Sequence, residues 1–162
     1  MENQKTSITA KQDRQEIFIV REFDATPDLV FQAHTQPELL VQWMGLENHS
    51  MEIPIFENKN LGAWRFIHSD ENGNNYRFCG VIHETEFAKR IIRTFEFEGL
   101  PERGHVSLEF LNFEALQDGR TRLTTQIIFK SIEDRNGMVE SGMEYGVIDS
   151  YNKLDKLLSK NN

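Results

Sequence analysis

The sequence predicts an α+β fold in which a curved antiparallel sheet of six or seven strands surrounds a long C-terminal helix, with two short helices after the first strand. Apolar and polar residues alternate between residues 50 and 130, which is typical of strands with one buried face. Pro27 and Pro37 each open a helical segment after the first apolar run, and proline favours the first helical position. Near the C-terminus, apolar residues recur three and four positions apart, which is the spacing of one helix face.

The predicted strands are separated by short turns rich in glycine and asparagine, residues that tolerate a positive φ. Because short turns join consecutive strands, we expect an antiparallel meander. The first strand is rich in β-branched and aromatic residues. The strand segments are Gln15–Phe23, a run through Met51, Ile53 and Ile55, Gly62–Ser69, Asn75–Glu84, Arg90–Phe97, a run through Val106, Leu108 and Phe110, and Arg120–Lys130.

The helix boundaries are predicted from capping patterns. Thr26-Pro27 begins the first short helix, and Thr35 to Glu38 has the spacing of a capping box that begins the second. Gly45 then ends the second helix. One C-terminal helix is predicted from about residue 137 to residue 160, long enough to cross the sheet.

The length and composition of the chain fit a protein of one domain. The chain has 162 residues and a net charge of −8, which fits a single domain and argues against nucleic-acid binding, since a phosphate-binding face needs clustered basic residues. Residues 1–14 are polar and predict a disordered tail, followed by a single domain over residues 15–160. No signal-peptide core and no membrane-length apolar run is present, so we expect a cytoplasmic protein without membrane insertion. The single cysteine, Cys79, leaves no internal disulfide.

Three segments carry a family resemblance: Arg21–Gly45 (REFDATPDLVFQAHTQPELLVQWMG), Leu61–Glu84 (LGAWRFIHSDENGNNYRFCGVIHE) and Gly142–Leu158 (GMEYGVIDSYNKLDKLL). In this order and at these separations they resemble the family of homologues of the activator of heat-shock-protein-90 ATPase. That family belongs to the START-like (SRPBCC) superfamily, which also includes the major birch pollen allergen and polyketide cyclases. The resemblance covers nearly the whole chain. It implies the helix-grip fold with an internal cavity, without implying one particular reaction.

Two positions differ from the family pattern. The family often has two tryptophans followed by Gly-Pro, whereas this chain has Trp43, Met44, Gly45 and Leu46. Val147 stands where the family often has a tryptophan. Both differences reduce the aromatic bulk beside the expected cavity, so a ligand of a relative is not carried over to this chain.

A pocket between the sheet and the C-terminal helix is the expected ligand site. Strand alternation, helix spacing and the resemblance together predict which side chains line it. The alternative is that the same side chains fill a dry core, since each buried aromatic contributes roughly 1.5–3 kcal/mol. The predicted ligand-binding residues are Trp43, Trp64, Phe66, Tyr76, Phe78, Phe95, Phe110, Met143, Val147 and Tyr151.

Other chemistry-bearing residues have simpler interpretations. The five histidines, His34, His49, His68, His83 and His105, do not have metal-ligand spacing. The glutamate pairs Glu84 and Glu86, and Glu96 and Glu98, are interpreted as solvent-facing, because an inward carboxylate without a partner is costly. Arg65, Arg77 and Arg93 are interpreted as an outer ladder of ion pairs. We therefore predict no catalytic residue, no metal site and no cofactor.

These observations favour a protein that binds a small apolar or amphipathic molecule in an internal cavity. Two alternatives stay open: an enzyme of cyclase or hydrolase type that uses the same cavity, and a stress-response protein that contacts a chaperone. We expect a monomer or weak dimer, with neither nucleic acid nor membrane as a partner.

Overall fold

The computed structural model describes residues 5–160. They form eight strands, four α-helices and one 3₁₀ turn at Gln117–Gly119. The strands are β1 (Thr6–Thr9), β2 (Glu16–Phe23), β3 (Ser50–Phe56), β4 (Ala63–Ser69), β5 (Asn75–Glu86), β6 (Arg90–Phe97), β7 (Val106–Ala115) and β8 (Thr121–Ile128). The helices are α1 (Pro27–Thr35), α2 (Pro37–Trp43), α3 (Ile132–Glu140) and α4 (Met143–Lys160).

All eight strands belong to one sheet in the order β1-β2-β8-β7-β6-β5-β4-β3. Every neighbouring pair is antiparallel. The described sheet is open, with β1 and β3 as its edges, and α1 and α2 carry the chain from β2 to the far edge. This topology confirms the predicted α+β helix-grip fold, although the sheet has eight strands instead of six or seven.

The additional strand, β1, lies inside residues 1–14, where the sequence predicts a disordered tail. Arg21 of β2 is 2% exposed and donates hydrogen bonds to Thr6 Oγ1 at 2.6 Å and to Asp155 Oδ2 at 2.9 Å. A short strand held by polar side chains has no apolar period, so periodicity does not reveal it. The tail prediction is therefore corrected for β1; residues 1–4 lie outside the described residues, and the domain range 15–160 stays a prediction.

The C-terminal region consists of two helices, where the sequence predicts one. Ser131 caps α3, since its hydroxyl accepts a hydrogen bond from the backbone N–H of Asp134 at 3.1 Å. Gly142 then adopts a φ of 84°, which glycine reaches without steric cost and which interrupts the helix. α4 follows with 18 residues and is about 27 Å long. Its Tyr151, Leu154 and Leu158 are buried.

α1 and α2 begin at the predicted prolines, but Thr26 and Thr35 do not cap these helices as predicted. The Thr26 side chain makes no capping hydrogen bond, and the residue that precedes α2 is Gln36. Thr35 instead donates its hydroxyl hydrogen to the Phe31 carbonyl at 2.9 Å. The indole N–H of Trp43 donates to the Ala33 carbonyl at 2.9 Å, so the two short helices are linked beside α4.

Gly80 of β5 makes room for the large side chain opposite it. It pairs with Trp64 of β4, whose indole is 2% exposed. A Cβ atom at position 80 would lie 2.0 Å from the Thr94 carbonyl oxygen and 2.5 Å from Trp64 Nε1. Relieving such a contact would require the sheet backbone itself to move.

We therefore expect Gly80→Ala to lower the free energy of unfolding by about 1–3 kcal/mol, as measured by urea denaturation. Gly137→Ala in α3 is the control, because a Cβ there would meet nothing within 4 Å. Alanine in a helix should raise stability by about 0.5–1 kcal/mol relative to glycine. Equal stability of the two variants would contradict the steric explanation.

Candidate functional site

A cavity of about 380 Å³ lies between the sheet and the helices. Its walls come from strands β2 and β4 to β8 on one side and from all four helices on the other. Ligand pockets in proteins occupy roughly 300–1,000 Å³ and are mostly apolar with a few polar groups. This cavity has that size and that composition, and it is the candidate site.

The lining contains eight of the ten side chains that the sequence predicts as ligand-binding. They come from helices and strands far apart in the chain, and the sheet brings them together around one space. Whether they contact a ligand stays a prediction. The eight are Trp43, Trp64, Phe66, Phe78, Phe95, Met143, Val147 and Tyr151.

Tyr76 and Phe110 lie outside the lining, contrary to the prediction. Tyr76 is 36% exposed near the start of β5, where its ring stacks on His49 at 6.4 Å and its hydroxyl donates to Asp70 at 3.3 Å. Phe110 points to the other face of β7, because the residues on either side of it, Glu109 and Leu111, line the cavity. The alternation of Val106, Leu108 and Phe110 marks the outer face of β7.

The most polar part of the cavity wall is an ion pair that the sequence analysis missed. Arg93 Nε donates to Glu109 Oε1 at 2.8 Å, and the two side chains are only 13% and 11% exposed. They stand directly opposite each other on β6 and β7. The Arg93 guanidinium also lies 5.4 Å from the centre of the Trp64 ring, a cation–π distance.

The inward position of Arg93 corrects the predicted outer ladder of arginines. Arg65 does lie on the outer face, paired with Glu98 at 3.0 Å, and Arg77 is exposed. Arg93, however, is two residues from Phe95 on the same strand and so shares its face. Since Phe95 lines the cavity, Arg93 lines it too.

His34 of α1 supplies a neutral polar group to the same wall. The residue is 3% exposed, and its Nδ1 lies 2.8 Å from the Val30 carbonyl oxygen. A carbonyl only accepts, so Nδ1 carries the hydrogen and Nε2 keeps its lone pair. Burial, together with the nearby Arg93 charge, lowers the pKa of His34 to about 4. The Nε2 atom is buried and has no hydrogen-bond partner among residues 5–160.

Tyr151 of α4 packs against Trp43, which is itself an aromatic neighbour of His34. Its ring stacks on Trp43 at 6.1 Å and meets Phe23 edge-on at 5.5 Å. Burial raises the pKa of Tyr151 to about 12, although the neighbouring Thr125 hydroxyl opposes this shift. The phenol therefore keeps its proton across the physiological range.

Polar contacts hold the loop after α2 against α4 beside the cavity. The Gly45 carbonyl accepts hydrogen bonds from Lys153 Nζ and from Ser150 Oγ, the latter at 3.3 Å. Gly45 has a φ of 92°, and a Cβ atom there would lie 2.7 Å from His68 Nδ1. Burial, with smaller contributions from His49 and Lys153, lowers the pKa of His68 to about 4.

The glutamate pairs singled out in the sequence lie outside the cavity lining. Glu84, Glu86, Glu96 and Glu98 pair with Arg90, Lys89, Arg103 and Arg65, respectively. The Arg103 guanidinium, followed by the Gly104 N–H, lowers the pKa of Glu96 to about 2. These ion pairs indicate a structural role on the outer surface.

Two further observations concern only the described part of the chain. Between residues 5 and 160, no three or more His, Cys, Asp or Glu side chains are grouped so that they could hold a metal ion. None of the helices there combines the length and apolar character needed to cross a bilayer. A cytoplasmic location stays a prediction.

Solved structures from several bacteria share this fold. A protein from Rhodobacter sphaeroides superposes with a TM-score of 0.87 at 22% identity, over 96% of this chain and 99% of the other. The protein Ms6760 from Mycobacterium smegmatis gives 0.84 at 21% identity, over 94% and 96%. The AHSA1 protein from Silicibacter pomeroyi gives 0.74 at 20% identity, over 91% and 99%. At these identities the likeness shows the fold alone.

No curated protein matches the chain. The family model described as "Activator of Hsp90 ATPase homolog 1-like protein" matches residues 24–159, which include α1, α2, β3 to β8 and nearly all of α4. This match agrees with the resemblance of the three sequence segments and with the fold. The chain belongs to the Activator of Hsp90 ATPase homolog 1-like family.

Proposed function

We propose that the protein binds a small apolar or amphipathic molecule in the cavity between the sheet and α4. The observation that carries this proposal is the aromatic and aliphatic lining of a space of about 380 Å³. Binding pockets in proteins are typically apolar recesses that are already formed in the free protein. A space of this volume, next to tightly buried residues such as Trp64 and Leu154, is consistent with a site kept open for a ligand.

The protonation states of the polar wall favour binding over acid–base catalysis. A general acid or base works best when its pKa is near the operating pH. His34, with a pKa of about 4, is a weak base at neutral pH, and Tyr151, with a pKa of about 12, is a weak acid. Both groups therefore suit the recognition of a ligand by hydrogen bonds better than proton transfer within a cyclase or hydrolase.

Native mass spectrometry of freshly purified protein tests the proposal directly, because a co-purified ligand would add its mass to the chain. A panel of lipids, aromatics and polyketides should contain compounds that raise the melting temperature, since a ligand that binds only the native state stabilises it. Absence of any bound mass, melting shift or amide chemical-shift change across the panel would refute the proposal.

Val147→Trp is expected to weaken binding of any such ligand by at least about tenfold, which corresponds to about 1.4 kcal/mol. Val147 lines the cavity from α4, and the indole would occupy the space that the ligand needs. Val41→Trp is the matched control, because Val41 is 44% exposed on α2 and is not part of the lining. Isothermal titration calorimetry measures both affinities. Unchanged affinity in Val147→Trp would place the binding site elsewhere.

The family description favours a chaperone contact as a second candidate function. Its test is the ATPase rate of Hsp90 with and without saturating amounts of this protein. A raised rate would support that role, whereas an unchanged rate would remove it.

Size-exclusion chromatography with light scattering, over a range of concentrations, would test the expectation of a monomer or weak dimer.

A further inference from the structure

His34 Nε2 is a hydrogen-bond acceptor for which the described chain supplies no donor. Buried polar atoms are nearly always paired, so an unpaired one calls for an explanation. The imidazole is fixed in place: Nδ1 is bonded to the Val30 carbonyl, and the ring packs against Trp43 at 4.8 Å and Phe113 at 5.4 Å. The unpaired nitrogen thus belongs to a rigid ring in the cavity wall.

Two N–H donors of the cavity wall are already engaged, and a third, the indole N–H of Trp64, is unpaired among residues 5–160 and does not bond to His34. The indole N–H of Trp43 donates to the Ala33 carbonyl, and Arg93 Nε donates to Glu109. A donor for His34 Nε2 is therefore expected to come from a molecule that enters the cavity.

The charge of the cavity wall restricts the kind of molecule further. The positive charge of Arg93 is neutralised by Glu109 at 2.8 Å, and the Lys153 ammonium, on the helix beside the cavity, lies 3.5 Å from Asp149. A carboxylate ligand would meet the His34 lone pair and the Glu109 charge without an uncompensated cation to offset its desolvation. The wall is suited to an uncharged ligand.

We propose that the ligand is an uncharged, largely apolar molecule that donates one hydrogen bond, from a hydroxyl or N–H group, to His34 Nε2. This inference rests on the proposed binding function and specifies its ligand class. Leaving a buried acceptor unpaired is costly, so the cavity should discriminate between ligands that differ only in this donor.

Three biphenyl compounds of similar size test the inference: para-hydroxybiphenyl, para-methoxybiphenyl and the biphenyl para-carboxylate. Titration calorimetry at about pH 7 should show the hydroxyl compound binding about tenfold more tightly than both others. Equal binding of the hydroxyl and methoxy compounds would leave the proposed function standing and overturn the inference. Tighter binding of the carboxylate would also overturn it. Binding of none of the three would overturn the inference, whereas the proposed function is decided separately by native mass spectrometry and the wider ligand panel.

His34→Phe keeps an aromatic ring but removes the acceptor, so we expect the hydroxyl and methoxy compounds to bind within about twofold of each other. His83→Phe is the control, because His83 is exposed and outside the cavity lining; wild-type affinities are expected there. His68 is the other histidine of the lining. If His68→Phe lost the preference for the hydroxyl over the methoxy compound while His34→Phe kept it, the ligand's donor would contact His68, and the inference would be overturned.

A spectroscopic measurement on the unmodified protein makes the test independent of how the variants fold. The Nε2 nitrogen-15 resonance of His34 should move upfield when the hydroxyl compound binds, because accepting a hydrogen bond reduces its free lone-pair character. The methoxy compound should not produce this shift. An unmoved Nε2 resonance at saturating hydroxyl compound would overturn the inference.

Discussion

Replacing Glu109 with leucine is expected to lower the free energy of unfolding by about 3–5 kcal/mol. The substitution removes the carboxylate that Arg93 contacts at 2.8 Å, in a wall where both side chains are almost wholly buried. The guanidinium is then left charged among aromatic side chains, and its desolvation is no longer offset. Urea denaturation at about pH 7 measures the loss.

The double variant Arg93→Met with Glu109→Leu should recover most of that stability. Replacing both partners of a buried ion pair with apolar side chains is often neutral or stabilising, in contrast to removing one partner. A double variant no more stable than Glu109→Leu alone would show that the loss comes from packing and not from an uncompensated charge.

Glu98→Leu is the control for position, since Glu98 pairs with Arg65 on the outer face of the sheet. The Arg65 side chain is 40% exposed, so water can solvate it once its partner is gone, and exposed ion pairs contribute little. We expect a much smaller loss than for Glu109→Leu. Equal losses in the two single variants would contradict the distinction between inner and outer ion pairs.

The parts of the fold that follow from local sequence could be predicted. Pro27 and Pro37 begin helices because proline has no N–H to lose at a first helical position. The strand pair β4 and β5 was predicted from alternation and from an asparagine- and glycine-containing turn. On β4 the alternation correctly predicts that Trp64 and Phe66 share the inner face, because the two large aromatic side chains of that strand lie two residues apart.

The polar wall of the cavity could not be predicted in the same way, because residue type and strand face disagree there. On β7 the inner face carries Ser107 and Glu109, whereas the outer face carries Phe110. A rule that assigns apolar residues inward therefore chooses the wrong face. That Arg93 lies directly opposite Glu109 depends on the pairing register of β6 and β7, which only the folded sheet reveals.

Other differences had partial signals in the sequence. Gly142 was available as a helix-interrupting residue, and a φ of 84° there separates α3 from α4. The apolar residues at three- and four-residue spacing, from Met143 to Leu158, all lie after it. The polar strand β1 had no such signal, since it depends on the buried Arg21 from another strand. The unpaired Nε2 of His34 likewise depends on the orientation of one ring, which residue spacing does not specify.

Lowering the pH from about 7 to about 4 is expected to remove about 3 kcal/mol of stability through His34 alone. In the folded protein, burial lowers the pKa of His34 to about 4, whereas in the unfolded chain the pKa is near the ordinary value of about 6.5. Between these values the unfolded state binds the extra proton and the folded state does not. Stability therefore falls as the pH decreases through this window, and the loss is complete below about pH 4.

Comparison with His34→Phe isolates this contribution. His68 titrates in the same window. Glu96 also stabilises the fold at neutral pH, and this contribution is lost as the pH falls from 4.5, the ordinary pKa of a glutamate, to about 2, its pKa in the folded protein. Both groups are present in the wild type and in the variant, so their effects cancel in the difference. Urea denaturation at several pH values should show that the free energy of unfolding depends less on pH in His34→Phe than in the wild type. The difference between the two free energies should change steadily as the pH falls from about 7 to about 4.

The His34 titration itself can be followed by NMR, with His83 as an exposed reference on the same chain. If His34 titrated near about 6.5, as a solvent-exposed histidine does, the ring would be hydrated in the native state. Its Nε2 would then already be satisfied by water, and neither the flatter pH dependence of the variant nor the preference for a donor-bearing ligand would be expected. A pKa well below that value would instead agree with a dry, neutral imidazole that keeps its acceptor free for a ligand.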